Sequence, residues 1–249
     1  MKLILLFCFC INLLTSSAQD KNKFYALDAS LNETVLDSSK YILWVHEKED
    51  SNWQFDYYKT WGPLVKTQTF ADRQGTVLNG KSSFYTTIGN LDSTGIFDRG
   101  KKNGNFYKFK SISNDSIVLL RKYKYVQDSL VIFMELLKDS SKKQGKDTTD
   151  AEYPGGLSGW YSYLNNNLKY PDRARDKLIQ GTVWVRFTVD STGEIKNPHI
   201  EKSVEYSIDQ EAMDIIKNSG KWVPATIDGM PVRSFKKQPL KFGFKSVQP

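Results

Sequence analysis

The segment GTVWVRFTVDSTGEI (residues 181–195) decides how the C-terminal half folds. Val183, Val185, Phe187 and Val189 alternate with Thr182, Trp184, Arg186 and Thr188, the two-residue period of a strand with one buried face. Asp190, Ser191, Thr192 and Gly193 then supply turn chemistry, so the chain should double back into a second strand around His199 to Val204.

Upstream, Gly155 and Gly156 open a segment in which Leu157, Tyr161, Leu164 and Leu168 recur at helical spacing. It stops at Tyr170-Pro171, and Pro171 can start a short second helix over residues 172–178, since a proline in the first turn loses no hydrogen bond. Downstream, Ser207 and Gln210 have capping-box spacing ahead of a stripe of Ile208, Ala212, Ile215 and Ile216, and Gly220 ends that helix. Trp222, the turn Asp228-Gly229 and a last strand from about Val232 to Phe244 follow. In that strand Leu240, Phe242 and Phe244 share one face, with Lys241 and Lys245 on the other. Pro239 lacks a ladder donor, which predicts a place at a sheet edge.

Further towards the N-terminus, KDSSKKQGKDTTD (residues 138–150) contains no apolar residue and reads as a linker. Before it lie aromatic and β-branched runs at residues 41–45, 55–61, 83–89, 104–111, 116–120 and 130–137. Asn79-Gly80 and Asn103-Gly104 offer the positive φ angles of tight hairpins. The expectation is a meander of short antiparallel strands. Gly80-Lys81 with Phe84-Tyr85 is echoed by Gly100-Lys101 with Phe106-Tyr107; repeat and ordinary hairpin composition both account for it.

The first nineteen residues have a positive start at Lys2, an apolar run from Leu3 to Leu14 and small residues before the Ala18-Gln19 bond, the plan of an export signal. Those twelve residues, Asn12 among them, span roughly 18 Å as a helix, short of the roughly 30 Å of a bilayer core. Both cysteines, Cys8 and Cys10, lie inside this segment, so cleavage leaves no thiol for a disulfide, a metal site or a nucleophile.

The 249 residues carry a formal charge of +7. Residues 20–150 hold 20 basic and 17 acidic side chains and residues 151–249 hold 14 and 11, so neither half concentrates charge as a nucleic-acid binder does. Enzymatic chemistry has little to work with. His46 and His199 are the two histidines and lie in different modules, and no GxSxG, HExxH or P-loop spacing occurs. His199, beside Pro198, reads as a surface or turn residue, and Glu47 with Glu49 as charges in a polar run. The expectation is a non-enzyme without catalytic residue, cofactor or metal.

The order helix, strand, strand, helix, strand, with YPGG, LNNNLKYPDRA, GTVWVRFTVDSTGEI, DQEAMDIIKNS, KWVPATIDGMPV and LKFGF in succession, closely resembles the TonB C-terminal domain over residues 153–244. It is most like the form common in exported proteins of Bacteroidetes-type bacteria. Residues 78–111 resemble variant MORN repeats more loosely, which implies a β-hairpin scaffold for protein or envelope contact. The fold class expected is α+β: a β-hairpin or meander module at 20–137, the polar linker at 138–150, and at 151–249 two helices packed on a small antiparallel sheet.

The TonB resemblance implies binding of an extended peptide from an outer-membrane receptor, which adds as a strand to the sheet edge. Carried onto this chain, the docking edge is the final strand, at Arg233, Ser234, Phe235, Lys236, Lys237 and Gln238 and on toward Phe244. Tyr170 and Pro171 match the family's YP motif beside the groove, and Trp222 matches the tryptophan before the last strand and reads as structural. An energy-transducing TonB also has an inner-membrane helix and a Pro-rich stalk, whereas the 8 prolines here are unclustered. The reading is therefore an exported periplasmic protein, peripheral to a membrane or free of it, linked to TonB-dependent transport through a receptor or another envelope partner. A homodimer by strand exchange stays open, as does a structural or peptidoglycan-associated role that reuses the fold without transducing energy.

Overall fold

Ten antiparallel strands come first in the chain. The computed structural model describes residues 22–113, 116–135 and 148–244. The strands are β1 Asn22–Leu27, β2 Tyr41–Glu47, β3 Trp53–Lys59, β4 Leu64–Phe70, β5 Leu78–Tyr85, β6 Leu91–Asp98, β7 Lys101–Lys102, β8 Gly104–Ser113, β9 Ser116–Val126 and β10 Ser129–Glu135. They form one sheet in the order β1-β2-β3-β4-β5-β6-β8-β9-β10, with the short β7 paired to β6. The meander is thus as expected, with β1, β4, β6 and β7 added.

Its core is one-sided in sequence. Tyr25, Leu27, Leu43, Val45, Phe55 and Phe70 form a buried cluster contributed by β1 to β4, and Leu31, Tyr41, Trp53, Tyr57 and Leu78 pack against it. From β8 to β10 no described residue is buried. Burial pushes the Tyr57 hydroxyl up to about 12, consistent with a ring held inside the first half of the sheet.

Two turns differ from the sequence reading. Gly104 (φ +93°) opens β8 opposite Tyr125 rather than standing at a hairpin tip. Asn79-Gly80 lies within β5, where Gly80 (φ +120°) sits opposite Phe97, rather than at a hairpin tip. Hairpin tips with positive φ include Arg99-Gly100 and, with no glycine at all, Ser51 (φ 61°) and Gln127-Asp128 (φ 48° and 71°). Asp128 Oδ1 and the Asp128 N–H both bind Lys102, at 2.7 and 2.9 Å, which holds the latter turn in place of a glycine.

The C-terminal region contains β11 Thr148–Thr149, α1 Gly156–Asn167, α2 Asp172–Asp176, β12 Gly181–Val189, β13 Ile195–Lys202, α3 Tyr206–Lys217, β14 Ala225–Ile227, β15 Met230–Val232 and β16 Ser234–Phe242. The architecture is α+β, with helices on small antiparallel sheets. One sheet runs β13-β12-β16 and the other β11-β14-β15. Backbone packing divides the chain into Met1–Thr60, Leu64–Thr87 and Leu91–Leu137 as one unit, and Trp61–Pro63, Ile88–Asn90 and Lys138–Pro249 as the other. The expected signal and most of the expected linker lie outside the described residues; the linker's Thr148–Thr149 forms β11 and pairs with β14.

Three local expectations need correction. The inward face of α1 is set by Trp160, 3% exposed, whereas Leu157 and Tyr161 are 73% and 61% exposed. Trp160 packs with Tyr153, Tyr163 and Trp222 at ring distances of 5.2 to 5.6 Å, and this aromatic burial outweighs the leucine stripe. The cap of α3 is Glu205 instead of Ser207: its Oε2 accepts the Ser207 N–H at 2.8 Å and the Ser207 hydroxyl at 2.6 Å. The expected last strand from Val232 is interrupted at Arg233, because Met230–Val232 turns back at Asp228-Gly229 to pair with β14.

Candidate strand-docking edge

β12 is the centre of the site. Its inward residues Val183, Val185, Phe187 and Val189 are at most 1% exposed and pack with Leu240 and Phe242 of β16, the Ile208, Ala212, Ile215 and Ile216 stripe of α3, and Trp222. Trp222 is 4% exposed, meets Phe187 edge-on at 5.0 Å and donates its Nε1 proton to Ser219 Oγ at 2.9 Å. It is a core residue. Gly193 (φ +86°) closes the β12-β13 turn under it, and a Cβ there would lie 2.2 Å from the Trp222 carbonyl oxygen.

β16 runs antiparallel to β12 in unbroken register, from Gly181 opposite Phe242 to Val189 opposite Ser234. No described strand pairs with its other side, so β16 is an edge, as Pro239 led one to expect. A proline within an intact ladder belongs where its missing N–H would face solvent. By the two-residue period, the backbone groups of Phe235, Lys237 and Lys241 face outward with it, and those of the even-numbered residues face β12. The outer side of β16 therefore turns the backbone groups of Phe235 and Lys241 away from β12, with no donor at Pro239 between them.

The side chains of Phe235, Lys237, Pro239 and Lys241 also share the outer face of the sheet, with Trp184 and Arg186 of β12. Phe235 is 70% exposed, and the Arg233 guanidinium lies 6.0 Å from its ring centre. Lys237 Nζ sits 4.4 Å above the Trp184 ring and 2.6 Å from Glu201 Oε1, while Arg186 Nε donates to Glu201 Oε2. Glu201 comes from β13, where the register with β12 shifts between Trp184 and Val185. Burial alone would raise its carboxyl, but the bonds from Arg186 and Lys237 outweigh that and hold it below its ordinary value. All three strands are thereby tied on the outer face, and Lys237 is held in place behind that edge.

The eight residues read from the sequence fall into two places. Arg233, Ser234, Phe235, Lys236, Lys237 and Gln238 occupy the start of β16 and the residue before it, opposite the C-terminal half of β12. Tyr170 packs at the other end: its ring stacks on Phe244 at 4.9 Å, meets Phe242 edge-on at 5.9 Å, and its hydroxyl donates to the Ile179 carbonyl at 2.5 Å. Pro171 is the extended N-cap of α2. Phe235 and Phe242 are seven residues apart on one strand, or roughly 23 Å, so one short side-chain pocket does not contain both groups, but one extended strand along β16 spans them.

Trp184, Arg186 and Glu201 are the residues that sequence reasoning missed. The alternation in β12 already turned Trp184 and Arg186 outward, but the bulge that brings Glu201 to them has no sequence signal. His199 lies opposite Arg186 in the β12-β13 ladder, and His46 belongs to β2. His46 Nε2 lies 3.1 Å from Asp56 Oδ2, with its ring stacked on Trp44, and His199 Nδ1 lies 3.1 Å from the Asn197 carbonyl. Among the described residues no helix is long and apolar enough to cross a membrane.

Residues 166–244 match the family model of the Gram-negative bacterial TonB protein C-terminal. The NMR solution structure of the Helicobacter pylori TonB C-terminal domain is similar over 38% of this chain and 90% of that one, at 21% sequence identity and a TM-score of 0.29. No curated protein matches the chain.

Proposed function

We propose that this chain is an exported, periplasmic binding protein whose C-terminal module captures an extended peptide of an outer-membrane receptor, or of another envelope protein, by strand addition to β16. The observation that carries the reading is the outer side of a nine-residue strand with which no described strand pairs, while its inner side is fixed in unbroken register to β12. Unpaired backbone donors and acceptors give affinity, and outer-face side chains select what lies across them. Arg233 to Gln238 form the main docking stretch, with Phe235 as the apolar contact, and Tyr170 with Pro171 flanks the far end.

The proposed organisation is a removable signal at 1–19, a β module at 20–137 with MORN-like hairpins, a polar linker at 138–150 and the binding module at 151–249. The chain works as a binding protein in TonB-dependent transport rather than as a catalyst. The test is fluorescence anisotropy with labelled peptides from the N-terminal segments of receptors of the same cell. Phe235→Pro should weaken binding about tenfold through the lost outward donor and side chain. Unchanged affinity in a folded variant would overturn the assignment of the edge.

A further inference from the structure

Charge in the C-terminal module is sorted by face. Residues 151–249 carry 14 basic and 11 acidic side chains, yet the strands β13, β12 and β16 hold six Lys and Arg residues against one carboxylate, Glu201. The rest of the module therefore carries more acid than base. Directly opposed residues of an antiparallel ladder share a face. On the outer face Lys202, Trp184 and Pro239 form one row across the sheet, His199, Arg186 and Lys237 a second, and Lys196, Thr188 and Phe235 a third, with Lys241 opposite Thr182. Glu201 is 2% exposed and lies between Arg186 and Lys237, so those three groups keep one net positive charge. Lys196 and Lys241 are exposed, as is Arg233 just before β16.

We propose that the strand captured at β16 is an acidic one: an extended peptide with Asp or Glu at every second position, its carboxylates on the outer face beside Lys237 and Lys241 and toward Arg233. The inference rests on strand addition at β16 and adds to it the chemistry of the occupant. A strand laid along β16 sends alternate side chains to the outer face. Opposite charges across such a pair stabilise it and like charges destabilise it. β16 has three lysines and no carboxylate of its own, and Arg186, Lys196 and Lys202 extend the positive field across the sheet behind Lys237 and Lys241. An acidic strand meets complementary charge along its length, whereas a basic strand, or a second β16, meets repulsion. Among the described residues of these three strands, Phe235 is the one exposed large apolar side chain. A face that docks on a bilayer buries several, so the single apolar contact favours a peptide over a lipid surface.

The test is fluorescence anisotropy on the chain from Gln19 to Pro249, which holds every described residue. The probes are three labelled peptides as long as β16, nine residues, with Val and Thr at odd positions and Glu, Gln or Lys at even ones. At about 50 mM salt the Glu peptide should bind about tenfold more tightly than the Gln peptide, and the Lys peptide more weakly than either. At about 1 M salt, where the Debye length is about 3 Å, the preference for Glu should fall below about twofold. Lys241→Glu should cut that preference at least about threefold and Lys241→Gln by less, and at this exposed position both should leave the circular dichroism unchanged. Phe235→Pro should weaken the Glu and Gln peptides alike, because both use its outward backbone donor. Equal binding of the Glu and Gln peptides, each weakened by Phe235→Pro, overturns the acidic selectivity and leaves strand addition standing. Absence of binding by all three at about 1 mM overturns strand addition and this inference with it. A preference for Glu in which Phe235→Pro weakens neither peptide, or displacement of the Glu peptide by phosphatidylglycerol vesicles as readily as by its unlabelled form, would make the face a general anion surface and overturns the proposal equally.

Discussion

β16 and β10 are both edge strands of antiparallel sheets, and they differ in what stands behind them. Leu240 and Phe242 anchor β16 to a core in which Val183, Val185, Phe187, Ile208, Ala212 and Ile216 are almost wholly inaccessible. β10 is backed by β9 in a region where no described residue is buried. The outward faces are reversed as well: cations and a proline on β16, uninterrupted apolar side chains on β10. An edge meant for a foreign strand must resist its own copy, and charge does that while leaving the backbone donors free. The comparison teaches that two strands offering the same backbone at a sheet edge can differ wholly in the side chains that flank it.

The largest expected effect separates the two by burial. Phe187→Ala should destabilise the C-terminal unit by about 3–5 kcal/mol, the cost of a cavity against Trp222, whereas Phe133→Ala should change stability by less than about 0.5 kcal/mol. Urea denaturation followed by Trp fluorescence reads both. Equal losses would mean that β10 has a covered face after all.

Next comes the tie on the outer face of β16. Glu201→Ala leaves Arg186 and Lys237 without their carboxylate and should cost about 1–3 kcal/mol. Because the folded-state pKa of Glu201 is depressed, its contribution is present above the ordinary value of 4.5 and is lost as pH falls through the lower folded value. Stability of the parent chain should thus fall more steeply than that of Glu201→Gln as pH drops below 4.5. Parallel curves would show that the tie is not electrostatic.

Proline substitutions sharpen the claim about which way the backbone points. Lys236→Pro removes a donor to β12 and should cost about 1–3 kcal/mol, while Phe235→Pro removes an outward donor and should cost less than about 1 kcal/mol. The reverse order in thermal denaturation would put Phe235 on the β12 side. The smallest effect belongs to β10: Gln127→Asn, at φ 48° in the β9-β10 turn, should stabilise that hairpin by a few tenths of a kcal/mol, read by amide exchange.

Much of β16's half was legible because its signals are strong and local. The alternation of Val183 to Val189, the stripe from Ile208 to Ile216 and the lone Pro239 each admit few alternatives. The meander was legible where aromatics cluster, as in β2 and β3. It was missed at β4 and β6, where LVKTQTF and LDSTGIFD mix polar and apolar residues and hold their place through neighbours on both sides. Asn79-Gly80 misled because a turn dipeptide also suits the positive φ inside β5. Leu157 and Tyr161 misled because periodicity counts apolar residues without weighing their size, and Trp160 weighs more. The three-strand tie through Glu201 depends on a register shift, which only pairing reveals.

The central claim is that a peptide adds to β16, and amide NMR of the chain from Gln19 to Pro249, titrated with receptor-derived peptides, tests it most directly. The account predicts saturable shifts concentrated on Ser234 to Phe242, largest at the outward-facing Phe235, Lys237 and Lys241, with smaller ones near Tyr170. Shifts confined to the meander, or none at about 1 mM peptide, a concentration that would populate even a weak complex, would contradict it.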